Sequence, residues 1–172
     1  MKKTATTKIA GIDYSLTSPC ICICEIQNEE FDFKNCGFYF FAQTKHQLVL
    51  PHTNLYSHSP VTSYTSDAER YNRLSNWVID ILAINEKPSP VYLEDYAYAA
   101  TGKVFHIAEN TGHLKYKFWQ HNVKYEIFAP TTIKKTATGK GNSSKQDLSL
   151  IHICRCRRIE RCRSRWSPYH KK

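Results

Sequence analysis

The chain has 172 residues, of which 41% are hydrophobic and 13% aromatic, a composition that suits one globular domain and excludes a disordered protein. No run approaches the ~18 apolar residues of a membrane helix, and the basic N-terminus lacks the apolar stretch of a secretory signal. The seven cysteines, an odd number, do not form a disulfide framework, so we expect a reducing, intracellular compartment.

The formal net charge is +9, but residues 148–172 alone carry eight Lys and Arg against one Glu. The rest of the chain is nearly balanced, so an argument for nucleic acid depends on local basic clusters.

The chain begins with three predicted strands, at about 8–14, 19–26 and 33–43. Their short connections favour an antiparallel meander. The residues 35–37 indicate a bulge within the third strand. The segment 45–63 is polar, rich in histidine and broken by two prolines, and it is predicted to be an irregular loop.

Two helices and two more strands follow in alternation. Ser66 and Glu69 have the spacing of a capping box, and the apolar residues after them recur at helical spacing up to a proline. Residues 91–94 predict a short strand, 104 to about 119 a second helix, and 125–128 a fifth strand. This order predicts an α/β fold with a mixed five-stranded sheet, three strands antiparallel and the rest parallel.

Two carboxylates end strands of this predicted sheet. Asp13 closes the first strand and Glu94 the fourth; if those strands are parallel neighbours, the two carboxylates meet at one edge and Asp95 faces the other side. Such a pair suits Mg²⁺, with Mn²⁺ as a substitute, and a metal there would activate water against a phosphodiester. The alternatives are a turn aspartate that caps its own backbone, or two unrelated strand-end acids.

A basic segment lies further along the chain. Lys134, Lys140 and Lys145 surround the loop TGKGNSS, which the glycines predict to be flexible. Ser143 or Ser144 can cap a following helix and leave backbone N–H groups for a phosphate. The alternative is an ordinary solvated basic loop.

Three segments together resemble RuvC-type Holliday-junction resolvases, particularly the shorter phage-like members. They are GIDYSLTS, then YLEDYAY with TGKVFHIAENTGHLK, then APTTIKKTATGKGNSSK, and they span about residues 8–147. The resemblance implies a ribonuclease H-like fold. It also implies a magnesium-dependent, structure-selective DNA endonuclease that resolves Holliday junctions and other branched DNA by phosphodiester hydrolysis.

The resemblance further implies roles for individual residues. Asp13 and Glu94 would be metal ligands and catalytic residues, and Lys145 would assist catalysis. Lys134, Lys140 and Lys145 would bind the DNA backbone. The partners implied are a four-way DNA junction and a second copy of the chain, in the cytoplasm of a bacterium or phage-infected cell, without a membrane or small-molecule cofactor. The helix that contains Gly112 is the candidate dimer face.

The C-terminal residues depart from the family pattern. The family supplies further metal-binding acids late in its sequence, whereas here Glu160 is the only acid after Asp147. Residues 148–172 resemble, in order, the translation of a sequencing-library adapter. We therefore expect residues 1–147 to be a nuclease domain without its last helix and 148–172 to be a non-native, disordered basic tail. Alternatives for the tail are a zinc knuckle or a basic nucleic-acid arm.

Two other functions remain open at this point. With an incomplete metal site, the chain would be a catalytically silent module that binds branched DNA, and cleavage by this chain is expected to be weak or absent. An actin-like phosphotransferase also opens with an aspartate-bearing hairpin, but it needs glycine-rich phosphate hairpins and a much longer chain. Tyr14, Tyr96 and Tyr98 would either stack on unpaired bases or pack in the core.

Overall fold

The structure is a computed structural model, and it describes residues 6–27, 32–41, 55–58, 63–96, 104–144 and 146–147. The chain divides into two compact units, Met1–Phe128 and Ala129–Lys172. The predictions for Lys145, Tyr98 and the segment 148–172 lie outside the described residues. The predicted boundary of the nuclease domain at residue 147 stays a prediction.

The first unit contains one six-stranded sheet. Its strands are β1 (Thr6–Asp13), β2 (Cys20–Gln27), β3 (Cys36–Phe41), β4 (Leu55–His58), β5 (Val91–Glu94) and β6 (Tyr125–Phe128). Their order across the sheet is β4-β3-β2-β1-β5-β6. The pairs β1–β2 and β2–β3 are antiparallel, whereas β1–β5, β5–β6 and β3–β4 are parallel. The predicted mixed α/β sheet is confirmed, with all five predicted strands present and a sixth at its edge.

The sixth strand corrects the prediction for residues 45–63. β4 pairs in parallel with β3, from Phe38 opposite Leu55 to Phe41 opposite His58. Four residues of mixed polarity are too few to show the period-2 alternation of a strand, which is why the sequence indicated only a loop there.

The third strand also starts later than predicted. A short 3-10 helix occupies Phe33–Asn35, and β3 begins at Cys36. The carboxylate of Asp32 accepts a hydrogen bond from the backbone N–H of Lys34 at 3.0 Å, and the Asp32 carbonyl accepts one from Asn35. A turn held by an aspartate therefore replaces the predicted bulge.

The three helices are α1 (Asp67–Ile84), α2 (Val104–Gln120) and, in the second unit, α3 (Pro130–Thr138). At the start of α1 the Ser66 hydroxyl accepts the Glu69 N–H, as the capping box predicted. The Glu69 carboxylate, however, accepts hydrogen bonds from the backbone and hydroxyl of Thr65, one residue earlier. Within the described residues, no helix has the length and apolar character needed to cross a bilayer.

The core lies between one face of the sheet and the helices α1 and α2. The sheet contributes buried residues from alternate positions, and the helices contribute one apolar face each. The most buried members are Ala10, Ile12, Ile21, Val91 and Leu93 from the sheet and Leu74, Val78, Leu114 and Phe118 from the helices. The alternation leaves the intervening strand residues on the opposite face, where Gly11, Asp13, Tyr92 and Glu94 lie.

Candidate active site

The carboxylates of the candidate site end two strands that are hydrogen-bonded neighbours. β1 and β5 are parallel, with Ile12 opposite Leu93. Asp13 and Glu94 are the next residue of each strand, so they occupy adjacent positions at the same edge and on the same face. Ile12 and Leu93 are buried at 3% and 1% exposure, which directs the two acids away from the core. Asp13 is exposed and Glu94 half-buried.

Asp95 follows Glu94, and both its backbone N–H and its carboxylate are engaged in hydrogen bonds. Its backbone N–H donates to the carbonyl of Phe128 at 2.9 Å, which extends the pairing of β5 with β6. Its carboxylate accepts the N–H of Tyr96 at 3.0 Å. The Asp95 carboxylate is therefore engaged with the adjacent backbone.

The antiparallel neighbour of Asp13 is Cys20 on β2. Burial and, to a smaller extent, the negative potential of Asp13 together raise the pKa of the Cys20 thiol to about 11. The Cys20 thiol is therefore neutral at pH 7.

The segment after Asp13 is fixed by hydrogen bonds from two sides. The Ser15 hydroxyl accepts the backbone N–H of Ser18 at 2.9 Å, which closes a local turn. Arg70 on α1 donates from Nε and Nη2 to the carbonyl of Leu16, at 3.0 and 2.6 Å. The guanidinium also lies over the ring of Tyr64, 5.4 Å from its centroid. Sequence analysis missed Arg70 because its partner is 54 residues away and no local pattern links the two.

Tyr14 packs in the core and does not face the site. It is 6% exposed and belongs to the hydrophobic cluster with Ile12. Burial raises the pKa of its hydroxyl far above the usual range. The stacking role considered for Tyr14 is therefore wrong, and the core-packing alternative is right.

Two of the predicted DNA-binding lysines lie in the second unit. Lys134 is half-buried on α3, and Lys140 is exposed just after the helix ends. Gly139 ends the helix in the left-handed conformation, at φ 81°. A Cβ on Gly141 would stand 3.3 Å from the carbonyl oxygen of Thr131, so any side chain at this position would crowd the backbone of α3.

The loop after α3 is held by the hydroxyl of Thr138 and is not a freely flexible connection. Thr138 Oγ1 accepts the N–H of Lys140 at 3.1 Å, lies 2.8 Å from the carbonyl of Lys134, and bonds to the Ser143 hydroxyl at 2.5 Å. The Ser144 hydroxyl accepts the N–H of Asp147, and the Asp147 carboxylate accepts the N–H of Ser144. This reciprocal pair has the hydrogen-bond pattern of a capping box, with Ser144 in the position of the cap.

Gly112 lies on the exposed side of α2. No atom stands within 4 Å of a Cβ built at this glycine, so close packing against the sheet does not explain it. Three aromatic residues of the same helix are also exposed: Phe105, Tyr116 and Trp119. Phe105 lies seven residues before Gly112, Tyr116 four residues after it, and Trp119 three residues after Tyr116. These four residues, here called the α2 stripe, lie along one side of the helix.

Within the described part of the chain, no group of three or more His, Cys, Asp or Glu side chains is arranged to hold a metal ion. Among the described residues, the candidate donors at this sheet edge are Asp13 and Glu94. Two adjacent carboxylates fit Mg²⁺, which is typically held by one or two carboxylates and keeps water or substrate oxygens in its other positions.

Comparison with known proteins finds sequence similarity to RuvC proteins. No protein-family model matches the chain. The crossover junction endodeoxyribonuclease RuvC of Campylobacter concisus is 28% identical over 119 residues, which cover 69% of this chain and 73% of that protein. RuvC of Chlamydia muridarum is 27% identical over 117 residues, or 67% of each chain. Over about two thirds of its length, the chain is therefore similar in sequence to RuvC proteins.

The structural matches agree. The Thermus thermophilus RuvC structure aligns with a TM-score of 0.56 at 16% identity, over 84% of this chain and 77% of that one. The same RuvC in complex with a Holliday junction substrate aligns with a TM-score of 0.54 at 14% identity, over 84% and 76%. The RuvC-type, ribonuclease H-like fold predicted from the three sequence segments is therefore confirmed.

Proposed function

We propose that this RuvC-type chain is a metal-dependent, structure-selective endonuclease that acts on Holliday junctions and related branched DNA. The observation that carries the proposal is the register of β1 and β5, which sets Asp13 and Glu94 side by side at one sheet edge. The RuvC relatives are crossover junction endodeoxyribonucleases by name, and one solved RuvC neighbour holds a Holliday junction substrate. The proposed setting is the cytoplasm of a bacterium or a phage-infected cell.

Asp13 and Glu94 would hold Mg²⁺, or Mn²⁺ in its place. When bound, the metal would stabilise negative charge on the scissile phosphate and lower the pKa of a water molecule. The chain's own part is to fix the two acids. Both follow buried strand residues, Ile12 and Leu93, so the backbone that carries each carboxylate is already fixed.

The lysines supply the electrostatic part of the proposal. Lys134 and Lys140 would contact DNA phosphates, and the ordered loop after α3 fixes the backbone of Lys140 through Thr138. Lys145 would stabilise developing charge at the phosphate; this role comes from the RuvC resemblance. Contacts of this kind position a duplex arm without reading its sequence.

A second candidate function is a branched-DNA-binding module that does not cut. It is favoured by the number of carboxylates: Asp13 and Glu94 offer two negative charges, whereas two divalent cations would bring four positive ones. On this basis we expect cleavage by the 172-residue chain to be slow. Binding depends on the lysines and is expected to persist.

We further propose that the chain acts as a symmetric homodimer through the α2 stripe. Phe105 and Trp119 are 77% and 73% exposed, and Tyr116 stacks on Trp119 with ring centroids 5.7 Å apart. A stripe of aromatic rings beside an open glycine is costly to leave in water and suits the self-complementary contact of a two-fold pair.

A labelled four-way junction tests the proposal. We expect the chain to bind it more tightly than a linear duplex of the same arm sequence, with an affinity that falls steeply with salt. Under single-turnover conditions, cleavage is expected with Mg²⁺ and not with EDTA. Equal affinity for junction and duplex, without cleavage, would refute both candidate functions.

A further inference from the structure

A cavity lies at the opposite end of β5 from the carboxylates. It encloses about 280 Å³ where α1 and α2 end and where β5 and β6 begin. Its apolar floor consists of Leu82, Pro88 and Val123, of which the first two are buried. Val91 begins β5 and Glu94 ends it, so three strand steps, or roughly 10 Å, separate this cavity from the candidate active site.

The polar lining of this cavity is basic. Lys87, His121 and Lys124 contribute to it, all three exposed, and no acid is among its lining residues. The nearest acid in sequence, Glu86, is occupied by Lys8, whose ammonium lies 2.6 Å from the Glu86 carboxylate. Neither Lys87 nor Lys124 makes an ion pair within the part of the chain that the structure describes.

Helix ends do not account for these cations. Both α1 and α2 direct their C-terminal carbonyls towards this end of the sheet, where lysines often satisfy them. Here backbone groups already do so. The carbonyl of Leu82 accepts the N–H of Lys87 at 2.8 Å, and that of Phe118 accepts the N–H of Val123 at 2.8 Å. In the part of the chain that the structure describes, these carbonyls therefore do not explain the lysines, whose exposed side chains are accessible to an acceptor from outside.

We propose that this cavity binds a phosphate group. Lys87 and Lys124 supply the charge, and the Ser89 hydroxyl, which is on the lining and exposed, supplies a neutral donor. The volume is close to the lower end of small-ligand sites, about 300 Å³, which admits a phosphate with part of its sugar over the apolar floor. The phosphate comes either from a free nucleotide or from a DNA arm that extends past the active site.

Two titrations separate these sources. In the first, the full chain labelled with ¹⁵N is titrated with inorganic phosphate and with adenosine monophosphate. If the source is a free nucleotide, the amides of Ser89 and Val123 shift with saturation. The shifts disappear in K87Q/K124Q and persist in K34Q, which removes one exposed lysine elsewhere.

In the second, junction affinity is measured against salt for the same variants. If the source is DNA, the slope of log K against log salt falls by about 0.9 for each of Lys87 and Lys124 and stays unchanged in K34Q. No amide shift together with unchanged slopes would overturn the proposal. The nucleotide titration is repeated in D13N, which alters the candidate active site and leaves the cavity residues unchanged. Amide shifts that persist in D13N would show that the phosphate site does not depend on the proposed cleavage, so the two proposals can fail separately.

Discussion

Arg70 on α1 holds the carbonyl oxygen of Leu16 with two hydrogen bonds, from Nε at 3.0 Å and from Nη2 at 2.6 Å. Leu16 lies three residues after Asp13, so the bond ties the end of β1 to the first helix. A planar guanidinium can make both bonds at once, which an ammonium cannot. The contact gives the segment after the candidate metal ligand a fixed path.

Replacing Arg70 with methionine is therefore expected to cost stability. The carbonyl of Leu16 would lose two charge-assisted hydrogen bonds in a partly buried setting, worth about 1.5–3 kcal/mol in the free energy of unfolding. R73M is the control on the same helix, because Arg73 forms only an exposed pair with Glu69 and should change stability by less than about 1 kcal/mol. Urea denaturation measures both, and equal losses would contradict the role given to Arg70.

Thr138 is predicted to order the loop that carries Lys140. In T138V the N–H of Lys140 loses its acceptor, a loss of about 1 kcal/mol, so its hydrogen exchange should accelerate about fivefold. T136V is the matched control, since the Thr136 hydroxyl bonds only to the carbonyl of Thr132, one turn earlier. Exchange at Lys140 that is unchanged in T138V would show that the glycines alone fix the loop.

Sequence patterns predicted the strands and helices that are specified by residues close to one another in the sequence. The strands at 91–94 and 125–128 were predicted with the observed bounds, because short apolar runs between turn residues specify them. β4 was missed, since its pairing with β3 is decided by tertiary contact and its four residues carry no clear period.

The candidate site shows the same division. The positions of Asp13 and Glu94 at strand ends could be predicted from the sequence, and the register of β1 with β5 now makes them neighbours. The contact that holds the segment after Asp13 could not be predicted, because Arg70 reaches Leu16 across 54 residues. The hydrogen bonds of Thr138 in the Lys140 loop could not be predicted either, because its glycines marked that loop as flexible. Tyr14 illustrates a different error. It is next to Asp13, the candidate metal ligand, but its ring packs in the core and not at the site.

His113 is expected to make stability depend on pH. Burial, with the nearby charge of Lys117, lowers the pKa of this imidazole below its usual 6.5, and Nδ1 lies 3.0 Å from the buried hydroxyl of Ser75. The unfolded chain therefore binds the proton more readily, so the stabilisation is complete above pH 6.5 and declines as the pH falls towards the lower folded value. Between pH 7.5 and 5.5, the melting temperature of H113Q should fall less than that of the unsubstituted protein. Parallel curves for the two proteins would contradict this assignment.

The α2 stripe makes a prediction about assembly. F105S/W119S should shift the chain from dimer to monomer in sedimentation velocity, with an unchanged far-UV spectrum, because both side chains are exposed within the single chain. The control is I84S, whose isoleucine at the end of α1 is exposed to the same degree, at 74%. If both variants dissociate the dimer, the loss of any exposed apolar side chain is enough and the α2 stripe is not specifically the interface. If F105S/W119S leaves the dimer intact, the α2 stripe does not form the interface.

The candidate metal ligands make the prediction on which the proposed activity depends. Asp13 and Glu94 are exposed or half-buried at adjacent positions, so replacing either with its amide keeps the size of the side chain and removes one charge from the site. In D13N and E94Q, single-turnover cleavage of a four-way junction in Mg²⁺ should fall by about 10²–10³, the effect of removing one group that stabilises charge in a transition state. Junction affinity in EDTA should be unchanged, because the lysines make the phosphate contacts.

D95N is the matched control: it changes the next carboxylate along the chain, and its amide oxygen still accepts the N–H of Tyr96. Cleavage as weak in D95N as in D13N would place the ion on the other side of β5, and full cleavage by D13N would remove Asp13 from the site.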